Sequence, residues 1–273
     1  MTAFVVIGHN EAPTLRRSIG QAIDASRAGD RVLFVDSAST DASADIAESL
    51  GVEVLRAPAG KGRAVAAAFG ACGAGDPVCV VDGDTVRSEC NIPATLRDAF
   101  EATGADMVVA TFTEAARVRV IQPAIYRPLV AALLPEAVGV SEPTPIAGFR
   151  ALVPGAEIGP LPPGYGLETH LNLRFALLDR KVAVVDIGEY RGRVRGYENI
   201  PRMARDITAA ILDAAESAGR IGPRTRPRWE AWIRPVIDLT RKMATLTAPE
   251  IEARVDELMA RPLLSTRVLP TPS

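Results

Sequence analysis

Val78-Cys79-Val80-Val81-Asp82-Gly83-Asp84 is the stretch on which the reading of this chain turns. Four residues that favour burial run into two acids separated by one glycine. The run reads as a strand covered on both faces, and such a strand cannot keep charge inside. Asp82 and Asp84 therefore emerge at its C-terminal end, the edge of an open α/β sheet where ligands bind. Gly83 has no Cβ, so the backbone can turn sharply and admit a phosphate or metal. Two hard oxygen ligands at this spacing suit Mg²⁺ or Mn²⁺, which also takes oxygens from a substrate diphosphate. Asp-Gly pairs are equally common in plain acidic turns, so the flanking sequence has to decide.

Upstream, residues 3–7 form a short β-branched run, followed by Gly8-His9-Asn10-Glu11 and a helical pattern over 13–25. Leu15, Ile19, Ala22 and Ile23 supply its apolar face. Residues 31–35 are a second strand that ends at Asp36, with the hydroxyl-rich turn Ser37-Ala38-Ser39-Thr40-Asp41 leading into a helix over 42–50. Gly51 closes that helix, and 52–55 is a third strand. Pro58-Ala59-Gly60-Lys61-Gly62 is the next loop, before a small-residue helix over 63–72.

Strand and helix alternating at this spacing predict a mostly parallel α/β sheet flanked by helices, with all these loops on one edge. Residues 92–103 read as a helix and 106–111 as a strand. Beyond that the pattern loosens. A helical segment over 118–134 is interrupted by Pro123 and Pro128, and 146–152 reads as a strand or hairpin arm. Helices over 167–178 and 200–217 flank a strand over 182–186. One or two more, near 229–244 and 249–260, form a C-terminal extension.

The chain has 273 residues, 48% of them apolar and 23% charged, ample for a globular core. A net charge of −2 gives no general reason to bind nucleic acid. Residues 1–116 hold 9 basic and 16 acidic residues, leaving the remainder net basic, an asymmetry suited to a metal site facing a groove for an anion. Cys72, Cys79 and Cys90 lack zinc spacing and read as reduced thiols. With no basic leader and no apolar run long enough for a bilayer, the expected location is cytoplasmic.

Four loops on one edge carry Gly8-His9-Asn10-Glu11, Asp36-Ser37-Ala38-Ser39, Gly60-Lys61-Gly62 and Asp82-Gly83-Asp84. Each suits one part of a nucleotide sugar. Asn10 and Glu11 can bond ribose hydroxyls, Asp36 or Ser37 a base edge, and Lys61 a base or phosphate. Asp82 and Asp84 hold the metal on the diphosphate. The expected donor site is thus Gly8, Asn10, Glu11, Asp36, Ser37, Lys61 and Asp82, with Asp82 and Asp84 as metal ligands.

In this order the motifs resemble the GT-A glycosyltransferases, most closely the family 2-like branch with the glucosyl- and mannosyl-3-phosphoglycerate synthases. Asn10-Glu11, Val35-Asp36-Ser37-Ala38-Ser39-Thr40-Asp41, Gly60-Lys61-Gly62 and Asp82-Gly83-Asp84 (the DXD pattern) carry the likeness. Pro163-Gly164-Tyr165-Gly166-Leu167-Glu168 and Tyr126-Arg127-Pro128-Leu129 add to it. The resemblance covers about residues 3–215. It implies a nucleotide-sugar-binding half over 1–116, an acceptor half of the same GT-A domain over 117–217, and a helical extension over 218–273. It also implies a Mg²⁺- or Mn²⁺-dependent hexosyl transfer to a small anionic hydroxyl acceptor, with retention; an inverting transfer, for which Glu168 could supply the carboxylate base, stays open. Glu168 would then lie beside the donor sugar and acceptor, and Glu168 and Asp84 are the expected catalytic carboxylates. A histidine that the family uses for metal late in the fold would fall near Glu189-Tyr190-Arg191, where this chain has none.

Plainer readings compete. Asn10, Glu11 and Glu168 could simply cap helices, and His170 reads as a core or supporting residue. Arg191, Arg193, Arg195, Arg202 and Arg205 form either a solvated face or an anion clamp, with Arg117 and Arg119 as weaker acceptor candidates. Trp229 and Trp232 read as packing or a homodimer face. A nucleotidyltransferase would want a basic Gly-rich loop after the first strand, which Gly8-His9-Asn10-Glu11 lacks. A non-catalytic nucleotide-sugar-binding module remains the third reading.

Overall fold

The computed structural model describes residues 1–73, 75–114, 120–193 and 196–264. Its first half follows from the sequence almost directly. Strands β1 (Ala3–Gly8), β2 (Arg31–Ser37), β3 (Glu53–Ala57) and β4 (Val78–Asp82) alternate with helices α1 (Ala12–Ala25), α2 (Ser43–Ser49) and α3 (Lys61–Ala71). Each helix carries the chain back to the starting edge, so β1 pairs in parallel with β2 and β4, and β2 with β3. The register sets Gly8 opposite Asp36 and Ile7 opposite Asp82, which brings the ends of three strands level.

The expected strand ends fall short. Asp36 and Ser37 belong to β2, and Lys61 and Gly62 form the first turn of α3 rather than a loop.

Among the described residues the sheet has eight strands in the order β3-β2-β1-β4-β7-β6-β8-β5. The newcomers are β5 (Thr85–Ser88), β6 (Met107–Glu114), β7 (Arg150–Leu152) and β8 (Val182–Gly192). β6 and β8 are parallel, whereas β7 runs antiparallel to both β4 and β6, and β5 antiparallel to β8. The sheet is therefore mixed. β8 runs past the expected stop at Asp186 because β5 supplies it with partners, Ser88 lying opposite Tyr190 and Thr85 opposite Gly192.

Every residue of β1 is buried, as a strand covered on both faces must be. Phe4 and Val6 face a core shared with Leu15 and Ile19 of α1. Val5 and Ile7 face the other side, with Ala64, Val65 and Ala68 of α3 and Leu171 and Phe175 of α6 (Leu167–Leu177).

A third core lies under α5 (Arg127–Leu133), α7 (Ile200–Ser217), α8 (Arg226–Lys242) and α9 (Ala248–Met259). The proline-interrupted segment becomes a π turn over Gln122–Tyr126 followed by α5; residues 118 and 119 lie outside the described residues. Trp229 is buried in the third core. Trp232 donates its indole N–H to the Pro262 carbonyl at 3.0 Å and carries Arg261 over its ring at 4.7 Å. Both tryptophans thus pack within the chain. No helix among the described residues is long and apolar enough to cross a membrane.

Just beyond β2, Ala38 holds φ of 60°. In that left-handed region a Cβ costs about 1–2 kcal/mol, partly offset by the entropy glycine loses on folding. Ala38→Gly is expected to stabilise the protein by about 0.5–1 kcal/mol, read as a higher urea midpoint at unchanged slope. A lower midpoint would show that the Ala38 methyl contributes packing of its own.

Candidate functional site

The loops after β1 and β2 are tied to each other. Asn10, at φ 57°, donates its backbone N–H to Ser39 Oγ at 2.9 Å. Its side-chain oxygen accepts the backbone N–H groups of Thr40 (2.7 Å) and Asp41 (3.3 Å). Glu11 N–H donates to Ser43 Oγ at 2.9 Å, and Ala12 N–H to Asp41 Oδ2 at 3.1 Å. Asp36, buried, accepts the Ser39 N–H at 2.8 Å. Ser37 Oγ accepts the Gly60 N–H at 3.0 Å, which joins the third loop to the second. Of the residues expected to read ribose and base, Asn10, Asp36 and Ser37 thus spend Oδ1, Oδ1 and Oγ in building the loops.

The third loop carries the central contact. Lys61 Nζ lies 2.8 Å from Asp82 Oδ1 and 2.7 Å from Glu168 Oε1. Glu168 stands in the first turn of α6 and is buried. Three glycines make this approach possible. Gly60 takes φ of 135°, and a Cβ on Gly60 or Gly62 would overlap the carbonyl oxygen of Pro163 or Pro162. A Cβ on Gly148 would overlap both Lys61 Nζ and the Asp82 carboxylate. Burial alone would lower the Lys61 pKa, but the two carboxylates outweigh it and raise it above the ordinary lysine value. The ammonium therefore stays charged throughout the useful pH range.

The fourth loop turns at Gly83, whose N–H donates to the Ile7 carbonyl at 2.7 Å and whose carbonyl accepts Thr14 Oγ1 at 2.9 Å. Tyr190 donates its hydroxyl to Asp84 Oδ1 at 3.0 Å. Its ring is wedged against Phe112 and Phe149, with centroids 4.9 Å from each. Burial and the neighbouring Asp82 push the Asp84 pKa up to about 6, against the opposing Tyr190 hydrogen bond. Arg193 closes the group. Its backbone N–H donates to the Asp84 carbonyl at 2.8 Å, and its guanidinium reaches the Asn10 carbonyl (2.6 Å) and Glu11 Oε2 (3.1 Å).

The fold thus brings all four predicted loops and Glu168 to one edge of the sheet. The rest of the basic run does not join them through the contacts seen. Arg191 and Arg205 are exposed, and Arg202 lies over the Tyr165 ring at 5.9 Å and 3.8 Å from Asp206. Arg117, Arg119 and Arg195 lie outside the described residues. His170 Nε2 is bonded to the Ile158 carbonyl at 2.9 Å, and burial lowers its pKa. His9 is exposed, with Nδ1 2.8 Å from the Ser37 carbonyl oxygen.

No group of three or more His, Cys, Asp or Glu suited to a metal ion occurs among the described residues. Asp82 and Asp84 each have one oxygen engaged, by Lys61 and Tyr190, and each has a second. Two hard carboxylate oxygens fit Mg²⁺ or Mn²⁺, which commonly take few protein ligands and fill the remainder with water and phosphate. Sequence reasoning missed Tyr190, Gly148, Ser43 and the Pro162-Pro163 wall. The signals that could have pointed to them were the histidine gap beside Tyr190 and the motif from Pro163 to Glu168.

Residues 3–135 match the family model described as Glycosyl transferase family 2. No curated protein sequence matches the chain. Among solved structures, the chain is similar to glucosyl-3-phosphoglycerate synthase from Mycobacterium tuberculosis in complex with Mn²⁺, UDP and glucosyl-3-phosphoglycerate. There the identity is 26% and the TM-score 0.69, over 79% of this chain and 80% of that one. The same enzyme with Mg²⁺ and UDP gives 25%, a TM-score of 0.67 and 79% of each chain. A structure described only as a mycobacterial protein gives 26% and 0.68, over 79% of this chain and 75% of that one.

Gly62→Ala is expected to cost about 1–3 kcal/mol by overpacking against Pro162. Gly70→Ala, on the same helix with open space around it, should instead gain about 0.5–1 kcal/mol. Thermal melts of the pair test this, and equal shifts would contradict the packing account.

Asp84 gives a pH dependence of definite sign. Its folded pKa lies above its unfolded value, so its stabilising contribution is full below about pH 4 and is lost as pH rises to about 6. Metal-free protein should lose up to ~3 kcal/mol across that window through this group. Asp84→Asn should flatten that part of the profile in chemical denaturation series; an unaltered profile would refute the assignment.

Proposed function

We propose that this chain, a glycosyltransferase of GT-A fold similar to the glucosyl-3-phosphoglycerate synthases, moves a hexosyl group from a nucleoside-diphosphate sugar to a small anionic hydroxyl acceptor. The donor is UDP- or GDP-linked, and the anomeric configuration is retained. One observation carries this reading: Lys61 Nζ stands between Asp82 and Glu168 at the edge where the β1 and β2 loops also open. The bound UDP, UDP-glucose and phosphoglyceric acid of the solved relatives name the first donor and acceptor to try.

In this reading residues 1–116 hold the donor, 117–217 the acceptor, and 218–273 brace the second half. Gly8, Asn10, Glu11, Asp36 and Ser37 line the nucleoside end. Asp82 and Asp84, each with one carboxylate oxygen already engaged, would hold Mg²⁺ or Mn²⁺. When bound, that ion neutralises the charge gathering on the departing diphosphate. Lys61 fixes Asp82 in place for this purpose. Glu168, on the other side of Lys61, orients the acceptor hydroxyl and helps stabilise positive charge on the sugar ring. An inverting transfer needs a carboxylate base, and the commitment of Glu168 to an ammonium favours retention.

Thermal stability with UDP, GDP and CDP, each with and without Mn²⁺, tests the donor site. The matching diphosphate at 100 times its Kd should stabilise the protein by about 2.7 kcal/mol in a Mn²⁺-dependent way. Asp84→Asn should remove the metal-dependent part. Mass spectrometry of UDP-glucose incubated with 3-phosphoglycerate then reads transfer. Absence of metal-dependent stabilisation by all three diphosphates would overturn the proposal.

A further inference from the structure

Arg150, on β7, heads the fully buried side chains by volume and is 2% exposed. A buried guanidinium is costly, and such a group is ordinarily held by a carboxylate. Here every hydrogen bond it makes among the described residues ends on a neutral acceptor. Nε donates to the Ala147 carbonyl (3.2 Å) and Nη2 to the Pro145 carbonyl (3.1 Å). Nη1 donates to Asn172 Oδ1 (2.6 Å) and approaches Met107 Sδ (3.5 Å).

These acceptors lead to the site by two routes. Asn172 lies one turn beyond Glu168 on α6, so the two share a helix face. Ala147, whose carbonyl Arg150 grips, is followed directly by Gly148, where a Cβ would overlap both Lys61 Nζ and the Asp82 carboxylate, so the backbone there runs close beside both. Asn172 also donates to the Pro145 carbonyl at 2.7 Å, which closes the two routes into one network. Burial lowers the Arg150 pKa, and the negative charges of Glu168 and Asp82 oppose that shift without cancelling it. The cation is therefore felt by the same two carboxylates that flank Lys61.

We propose that Arg150 is a positioning residue for the Lys61 bridge. Its planar fork fixes α6 through Asn172 and the floor of the site through the carbonyls at 145 and 147, so that Glu168 and Asp82 stand on either side of Lys61 Nζ. A lysine could not do this, because it lacks the fixed fork that meets three acceptors at once. The kinetic arm of the test rests on the glycosyltransferase reading, and the labelling arm does not.

Arg150→Met keeps most of the volume and removes both charge and fork, and Arg150→Lys keeps the charge alone. Asn172→Leu cuts the α6 route only. Circular dichroism and melting establish folding. Labelling of lysine amines, read by peptide mass spectrometry, then compares Lys61 with Lys181 and Lys242 as internal references. Both arginine variants should label Lys61 about five-fold faster or more, because a bridge off its geometry no longer shields the amine. The kcat for UDP-glucose turnover should fall about ten-fold or more with KM changed less than about three-fold. A folded Arg150→Met protein with wild-type Lys61 labelling and wild-type kcat would overturn the proposal. Should neither arginine variant fold, Asn172→Leu decides: faster Lys61 labelling supports the role and unchanged labelling refutes it. A wild-type protein that turns over no donor counts against the proposed function, and the labelling comparison still judges Arg150.

Discussion

A single ammonium between two carboxylates holds the edge of this sheet together. Lys61, Asp82 and Glu168 come from α3, β4 and α6, and without the lysine the two acids would face each other across a partly dry space. The lysine also sits in the first turn of its own helix, where the macrodipole disfavours a cation by about 0.3–1 kcal/mol. Glu168, in the first turn of α6, is on the favourable side of the same effect. The two ion pairs outweigh the misplaced charge. Removing one member of such a buried set costs about 3–5 kcal/mol in fully desolvated cases, and the partial exposure here places it lower.

Around that contact, small polar groups do most of the fastening. Ser37, Ser39 and Ser43 each tie one loop to another through a backbone N–H. Arg193 spans from the end of β8 to both the first and fourth loops. Held in this way, the groups at this edge are fixed by the protein's own contacts, as a preorganised site requires. Tyr190 contributes the same service to Asp84, with its ring clamped between two phenylalanines.

The antiparallel strand β7 has a larger part than its three residues suggest. It lies between β4 and β6, so the chain leading into it crosses the mouth of the sheet beside Asp82. That crossing delivers Gly148 to the site and Arg150 to the layer beneath. An all-parallel sheet would have set β4 directly against its neighbour and left the acids without this floor.

Much of the architecture of the first half was legible in the residues. Runs such as Ala3–Gly8 and Val78–Asp82 are too apolar to be half-exposed, and the helices between them oblige a parallel sheet with its loops on one edge. Asp82 and Asp84 could only surface at the strand's end. Gly60-Lys61-Gly62 was legible as a special turn but not as a helix start, because the packing that needs those glycines comes from Pro162 and Pro163, about a hundred residues on. The strands β5 and β7 escaped for a related reason. They are short, and their existence depends on partners (β8, and β4 with β6) that local pattern does not name.

By itself, then, the sequence determined the strands of the first half, their common edge and the acids that must lie there. These follow from side-chain periodicity and the cost of burying charge, both of which act over a few residues. Only the tertiary structure decided that Lys61 faces Asp82 and Glu168, that Tyr190 takes Asp84, and that a guanidinium lies beneath them all. Ion pairs and hydrogen bonds between groups tens to about a hundred residues apart depend on where the folded backbone sets them, and no local pattern encodes that distance.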